Sequence, residues 1–344
     1  MISANEIAEI KKSLEESQNP LFLFDNDADG LRSFLILQRS IGRGKGIPIK
    51  SFPELNSSYL RKIEELNPDA VFILDKPNVG KEFVEKVFER QIPIIWIDHH
   101  NVPVPEETLK KVKYYNSYPS AEPVTYIAYK ISNKKEDMWL AMIGCISDVF
   151  LPDFAEEFAE KNPELFNSKI PVFDSLYLTE IGKIIRILNF GMMDTTTNVV
   201  KMIKYLMKAG SAYDLLEENY HTKAMHKRYN QLNKIYTKLL EKAESKSQKN
   251  EKLIFFSYSG ETSMSSEIAN ALSFKNKNKI ILVAFNRNDK VNISVRGKNA
   301  LELTLNAMKD IENSSGGGHK EACGAQVPSD MLDKFKSNIE KQLS

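Results

Sequence analysis

Short, continuous apolar runs alternate along the first third of the chain with stretches whose apolar residues recur at helical spacing. Residues 21–25 (LFLFD), 70–75 (AVFILD) and 93–98 (PIIWID) are such runs, and each ends in an aspartate. Runs this short and this apolar predict strands buried on both faces, and the segments at 29–38, 57–65 and 81–90 predict crossover helices on a parallel sheet. Residues 1–20 read as an amphipathic helix, 136–150 as a further helix, and nearly all of 154–242 keeps helix-period apolar positions. The stretch 241–252 (EKAESKSQKNEK) loses that period and reads as a linker or a frayed helix end. Beyond it, strand-like 253–257, 279–285 and 291–296 surround a helical 265–272. The expected fold is α/β: a parallel-sheet domain over 1–150, a helical extension and connector over 151–250, and a smaller mixed α/β domain over 251–344.

Composition narrows the function classes. With 344 residues, 42% hydrophobic and 27% charged, the chain is long enough to bury a real core in one large or two ordinary domains. Lys+Arg number 47 against 46 Asp+Glu, so a net charge of +1 gives no blanket grip on nucleic acid or an anionic membrane, and polyanion binding must come from local patches. Residues 1–20 lack the apolar core and cleavage site of a signal peptide, and no run reaches the roughly 18 apolar residues of a membrane span. Cys145 and Cys323 are too few and too far apart for a disulfide framework, a redox pair or a zinc site, and a reducing cytoplasm is the expected setting.

Candidate chemistry starts at residues 25–30, DNDADG. Carboxylates on alternate residues need a cation or protons between them. An EF-hand reading fails, because Ile36 stands where the twelfth-position glutamate belongs and a strand precedes the loop. The group sits instead at the carboxyl end of a strand, where open α/β sheets bind ligands. Asp98-His99-His100 closes a second strand. Adjacent histidines on an extended chain are expected to point opposite ways, one toward a metal and one toward a substrate, with Asp98 orienting an imidazole. Imidazole beside carboxylate suits manganese, zinc or iron. Asp75 and Asp148 end two further apolar stretches, so that Asp27, Asp29, Asp75, Asp98 and Asp148 could converge on a two-metal centre. Near the carboxyl end, SSGGGHKEACG (314–324) reads as a built turn whose backbone N–H groups can approach an anion.

These motifs resemble those of the DHH phosphoesterases, and among them the RecJ-like nucleases, over most of the chain. DNDADG resembles the first motif, Asp75 the second, Asp98-His99-His100 the third, Asp148 in GCISDV the fourth, and GGGHKEACG the glycine motif of the DHH-associated domain. The resemblance implies Asp27, Asp29, Asp75, His99 and Asp148 as ligands of two manganese or magnesium ions, with Asp75 bridging. It implies Asp25 as a supporting carboxylate, His100 as the contact to the scissile phosphate, and Arg296 with Gly316, Gly317, Gly318 and His319 as the nucleotide site. Two departures stand out: Leu23 replaces a histidine many relatives carry four residues before Asp27, and the second motif reads DKPNVG rather than Asp-x-Gly.

The implied activity is that of a RecJ-like exonuclease on single-stranded DNA, RNA or short oligonucleotides. Two other readings stay open. One is a phosphohydrolase of cyclic dinucleotide, pAp or pyrophosphate. The other is a weakly catalytic scaffold that binds a replication or repair partner. Gly42 to Gly46 (GRGKG) reads as a plain basic loop because a strand follows it, and His221 and His226 read as surface residues. Residues 201–249 hold eleven Lys/Arg against five Asp/Glu, a pattern that fits a solvated face or a guide for a strand.

Overall fold

The computed structural model describes residues 1–51, 54–120, 122–246 and 252–343. The chain forms two compact units, Met1–Tyr229 and Asn230–Ser344. In the first, five strands form a wholly parallel sheet in the order β2-β1-β3-β4-β5: β1 (Pro20–Asp25), β2 (Lys45–Ile49), β3 (Ala70–Leu74), β4 (Ile94–Asp98) and β5 (Lys113–Asn116). Helices α1 (Ala4–Glu16), α2 (Ala28–Ile41), α3 (Leu60–Leu66), α4 (Lys81–Glu89) and the single turn α5 (Glu106–Leu109) intersperse the strands. A run of helices follows: α6 (Val124–Ser132), α7 (Met138–Ser147), α8 (Ala155–Lys161), α9 (Val172–Leu178), α10 (Glu180–Met192), α11 (Thr196–Leu206) and α12 (Lys223–Lys246).

Why these apolar runs are strands is visible in their two faces. Phe22, Phe24, Phe72, Leu74, Ile95 and Ile97 point into a core shared with α2, α6, α7 and α10, while Leu21, Leu23, Val71, Ile73, Ile94 and Trp96 meet Ile63, Phe83, Val84 and Val87 on the other side. Burial on both faces needs apolar side chains at consecutive positions, which parallel sheets characteristically show. The order reverses between β1 and β3, so a crevice opens at the carboxyl ends of these strands. α1 starts with a reciprocal cap between Ser3 and Glu6, as a capping box requires.

In the second unit, β6 (Leu253–Ser259), β7 (Ile280–Arg287), β8 (Lys290–Arg296), β9 (Ser315–His319) and β10 (Ala322–Pro328) form a mixed sheet in the order β6-β7-β8-β10-β9. α13 (Ser265–Lys275) crosses between the parallel pair β6 and β7, and the remaining neighbours are antiparallel. α14 (Ala300–Met308) and α15 (Leu332–Leu343) supply the opposite core, where Phe335, Ile339 and Ala307 meet Val291, Ile293 and Val295.

The structure corrects two local expectations. The glycine run is a strand, not a turn: Gly316, Gly317, Gly318 and His319 pair with Ala325, Gly324, Cys323 and Ala322 across the hairpin. The backbone ladder to β10 fixes it although glycine brings no side chain to the pairing. The stretch 241–252 is helical through Lys246, because the buried Ala243 carries the apolar stripe of α12 another turn, while its residues 247–251 lie outside the described residues.

Phe34 on α2 stacks on Phe24 at 4.9 Å and meets Phe22 at 5.5 Å, joining helix to sheet. Phe34→Ala is expected to destabilise the chain by about 3–5 kcal/mol, read as a lowered urea midpoint with unchanged slope. A midpoint within error of the unaltered chain would show that this contact does not hold α2 on the sheet.

Candidate metal centre

The carboxylates gather because four connections end at the same edge of the first sheet. Asp25 closes β1, and two residues later Asp27 caps α2, its side chain accepting a hydrogen bond from the Gly30 backbone at 3.0 Å. Gly30 is required there: a Cβ would sit 2.4 Å from the Asp25 carbonyl oxygen. Asp29, in the first turn of α2, accepts 2.7 Å hydrogen bonds from the backbone N–H groups of Val124 and Thr125 at the start of α6. Asp75 follows β3 in a left-handed conformation, φ 59°, which is uncommon for any residue but glycine and tends to mark functional sites. Asp148 caps the carboxyl end of α7.

His99 and His100 follow β4. His99 is buried, with Nε2 3.3 Å from Asp75 Oδ1 and Nδ1 3.5 Å from Asp148 Oδ2. Asp98 lies 2.8 Å from Nδ1 of His100 and so orients that imidazole. The two rings do not point opposite ways, as an extended chain would make them; they pack edge to face with centroids 4.4 Å apart, because both follow the end of the strand. Two sets of ligand atoms result, Asp29–His99–Asp148 and Asp75–Asp98–His100, each within 4.8 Å. Asp27 belongs to neither set, but it feels the charges of Asp29 and Asp148, and its own charge in turn raises Asp75.

Crowding sets the electrostatics. Burial, and then the charge of Asp27, raises the Asp25 carboxyl to about 6 despite Lys76. Burial also raises Asp27, Asp29 and Asp75, and for Asp75 the negative charges of Asp27, Asp29, Asp148 and Asp25 push the same way. Burial works against a charged His100, but the hydrogen bond and charge of Asp98, joined by Asp148 and Asp27, outweigh it and raise the imidazole. Asp75 Oδ1 is buried with no hydrogen bond among the described residues. Hard carboxylate oxygens and imidazole nitrogens, crowded until a proton or cation must stand between them, form a donor set that fits manganese or a similar divalent ion.

Sequence reasoning gives two basic residues at this site no role. Lys76 is buried, with Nζ 3.3 Å from Asp25 Oδ1 and 3.4 Å from the Ser51 carbonyl; its signal is the altered motif DKPNVG. Arg32, fully buried on α2, gives Nη1 to the Ala28 carbonyl at 2.9 Å, while Nε and Nη2 find no partner among the described residues. Burial lowers its pKa to about 10, against the pull of Asp27 and Asp29. Leu23 is fully buried among apolar residues and offers no ligand.

Within the second unit, Arg296 is held by Asn270 and by Ser266 at 2.8 Å, both on α13, and by the carbonyls of Val295 and Cys323. Gly317 and Gly324 face each other across β9 and β10, and a Cβ on either would meet nothing within 4 Å, so this part of the sheet is a bare backbone floor. The basic loop read at Gly42 to Gly46 is shorter than expected: Lys45 and Gly46 already pair in β2, and in the turn before them Arg43 binds the carbonyls of Ser17 and Glu15. His221 is exposed, whereas His226 is not a surface residue. It is buried on α12 with Nε2 3.0 Å from the Leu215 carbonyl, a partner brought in by the turn preceding the helix.

Residues 249–344 match the DHHA1 domain family. No curated protein matches the chain in sequence. Among solved structures, the fold is similar to that of RecJ from Thermus thermophilus in complex with Mn2+, at 16% identity and a TM-score of 0.69, covering 98% of this chain and 54% of that one. The chain thus spans about half the length of that relative. An exonuclease RecJ bound to manganese is similar at 16% identity and a TM-score of 0.65, covering 99% and 94% of the two chains. The DHH domain of a member of a family of ribosomal proteins is similar at 13% identity and a TM-score of 0.69, covering 98% and 89%. No helix among the described residues is long and apolar enough to cross a membrane. Residues 249–344 thus carry a DHHA1 domain, and the chain is RecJ-like in fold.

Proposed function

We propose that this chain is a metal-dependent phosphodiesterase of the RecJ-like exonuclease type, acting on single-stranded DNA, RNA or short oligonucleotides. The observation that carries this reading is the cluster of buried carboxylates around His99, with Asp75 Oδ1 left without a hydrogen bond among the described residues. Asp27, Asp29, Asp75, His99 and Asp148 would hold two manganese or magnesium ions. When bound, such ions supply Lewis acidity and a nucleophile at neutral pH. Asp98 fixes His100 by its Nδ1 edge, which leaves Nε2 to hold a proton against a phosphoryl oxygen; the raised pKa keeps that proton in place toward neutrality. Asp25 and Lys76 form an ion pair beside the site, where they help to set its charge. Arg296, Gly316, Gly317, Gly318 and His319 would receive the terminal nucleotide, since a floor without side chains admits a sugar-phosphate close to the backbone. The relatives whose names record RecJ with manganese support the choice of ion and reaction class.

Product analysis decides the substrate. Labelled DNA and RNA oligomers are expected to yield mononucleotides from one end in manganese, with little release from pyrophosphate or pAp. Turnover of the small molecules alone would replace this reading with that of a small-molecule phosphohydrolase. No turnover of any substrate would leave a scaffold.

The raised carboxyl groups give a pH test. Because the folded chain binds protons that the unfolded chain does not, their contribution is full below the ordinary carboxylate range and declines as pH rises through the raised values, near pH 6 for Asp25 and well above the ordinary carboxylate range for Asp75. Asp75→Asn is therefore expected to raise the melting temperature in EDTA at neutral pH by about 2–4 °C, the shift that 1 kcal/mol gives in a unit of this size. It should also abolish the stabilisation by manganese, which in the unaltered chain grows with pH as protons cease to compete. An intact manganese shift in the variant would sink the shared centre.

His100→Gln separates substrate work from metal binding. Manganese content is expected to stay, while turnover falls about 100-fold or more as the proton donor is lost. Loss of metal equal to that in His99→Ala would reverse the two assignments.

A further inference from the structure

A cavity of about 460 Å³ opens in the first unit where the last turn of α2, the turn before α7 and the end of α11 meet. It stands at the opposite ends of two helices that carry the metal centre. α2 holds Asp29 in its first turn and Arg39 in its last, while α7 has Asp137 just before it and Asp148 just after it. At about 1.5 Å per residue, the helical path from Asp29 to Arg39 puts roughly 15 Å between the carboxylates and the cavity.

Arg39 is the fixed point of its wall. Nε makes a 2.6 Å ion pair with Asp137 Oδ1, and Nη1 donates to the carbonyls of Leu206 at 3.0 Å and Ala209 at 2.8 Å. Both hydrogens of Nη2 are left without a partner among the described residues. The side chain keeps 14% exposure, so the guanidinium is braced but not sealed. Lys134 stands beside it, with Nζ 3.3 Å from the Arg39 carbonyl. Lys204 and Lys208 line the mouth one turn apart, both exposed and without an ion pair among the described residues. One lysine at the carboxyl end of a helix stabilises it, but two at i and i+4 repel each other. With Arg39 and Asp137 cancelling, the three lysines face Glu136 alone, and the cavity keeps an excess of positive charge.

The opposite side of the wall lacks donors. Asp137 Oδ2 is buried and accepts no hydrogen bond among the described residues, although buried carboxylate oxygens ordinarily have a partner. Glu136 is exposed next to it and has no ion pair among the described residues. Braced cations on one side and open carboxylate oxygens on the other match a molecule with an anion at one end and hydroxyl groups at the other. Among the described residues that line the cavity, Met207 is apolar and none is aromatic, so a nucleobase would find no ring to stack on.

We propose that this cavity is a second ligand site, separate from the metal centre, for a small sugar phosphate. Arg39 Nη2, Lys134, Lys204 and Lys208 receive the phosphate, and Glu136 with the open edge of Asp137 receives the hydroxyl groups. The volume lies in the range of small-molecule sites and leaves room for such a compound. The site does not depend on the phosphodiesterase reading, because none of its residues belongs to the carboxylate cluster.

The test is calorimetric titration of the full chain in EDTA with ribose 5-phosphate, inorganic phosphate, ribose and adenosine monophosphate. Ribose 5-phosphate is expected to bind saturably and about tenfold more tightly than inorganic phosphate, with no binding of ribose alone. Lys204→Gln with Lys208→Gln should weaken both phosphate compounds about tenfold or more, since each loses charge-assisted hydrogen bonds. Both lysines are exposed, and this variant is expected to melt within about 2 °C of the unaltered chain. Glu136→Gln should bring ribose 5-phosphate down to the affinity of inorganic phosphate and leave the latter no weaker. Asp75→Asn and Arg296→Gln, which alter the candidate metal centre and the glycine floor, should bind ribose 5-phosphate as the unaltered chain does. No saturable binding of either phosphate compound overturns the site. So does binding that the lysine changes leave untouched, or binding that disappears in Asp75→Asn or Arg296→Gln, because the anion then sits elsewhere. A Glu136→Gln variant that keeps the preference for ribose 5-phosphate, or adenosine monophosphate bound about tenfold more tightly than ribose 5-phosphate, overturns the sugar phosphate assignment.

Discussion

Negative charges crowded at one edge of a parallel sheet are the constraint around which the first unit is arranged. Carboxylates that approach within hydrogen-bonding range out of water cannot all ionise unless a cation joins them. The fold assembles such a group from four separate connections and surrounds it with whatever lowers its cost. Helix α6 offers Asp29 two backbone N–H groups, the start of α2 offers one to Asp27, and Lys76 stands against Asp25. Arg32 supplies further positive charge from inside the core, with two of its nitrogens lacking a hydrogen bond among the described residues. The raised carboxyl groups of Asp25, Asp27, Asp29 and Asp75 show that these devices do not balance the charge. A cluster held together against such repulsion is maintained by the packing beneath it, the aromatic contacts of Phe22, Phe24 and Phe34 among them.

The two residues at which the motifs depart from the DHH pattern they resemble lie on neighbouring strands of the first sheet or just past them. Leu23 withdraws a potential ligand into the apolar layer shared with Ile73 and Trp96, and Lys76 brings an ammonium group to the neighbouring Asp25. Trp96 also donates its indole N–H to the Lys76 carbonyl at 2.8 Å, which helps to fix the backbone that carries the lysine. The fixed ammonium group offsets part of the carboxylate charge, whereas leucine in place of an imidazole removes a neutral donor and leaves that charge unchanged. The second unit solves a different problem. Its exposed edge strand is built of glycine, so the backbone of Gly317 and Gly324 is open to any group that can use it, and Arg296 is braced by α13 beside that floor.

Much of this is legible in the sequence alone. Consecutive apolar residues at 21–24, 70–74 and 94–97 can be satisfied only by a strand buried on both faces, and an aspartate after each such run has to emerge at the carboxyl edge of the sheet, whatever the details of packing. The strand ends, the helices between them and the candidate carboxylates are therefore local properties of the sequence. What the sequence does not contain is distance. That His99 reaches both Asp75 and Asp148, that Asp27 and Asp75 feel each other's charge, and that Lys76 lies against Asp25 depend on residues far apart in the chain meeting at one edge, while the backbone path past β4 decides which histidine Asp98 orients and how the His99 and His100 rings stack. The glycine run at 315–319 reads wrongly as a turn for the same reason. Glycine has no local preference for a strand, and only pairing with β10, a contact with the next segment of chain, makes it one.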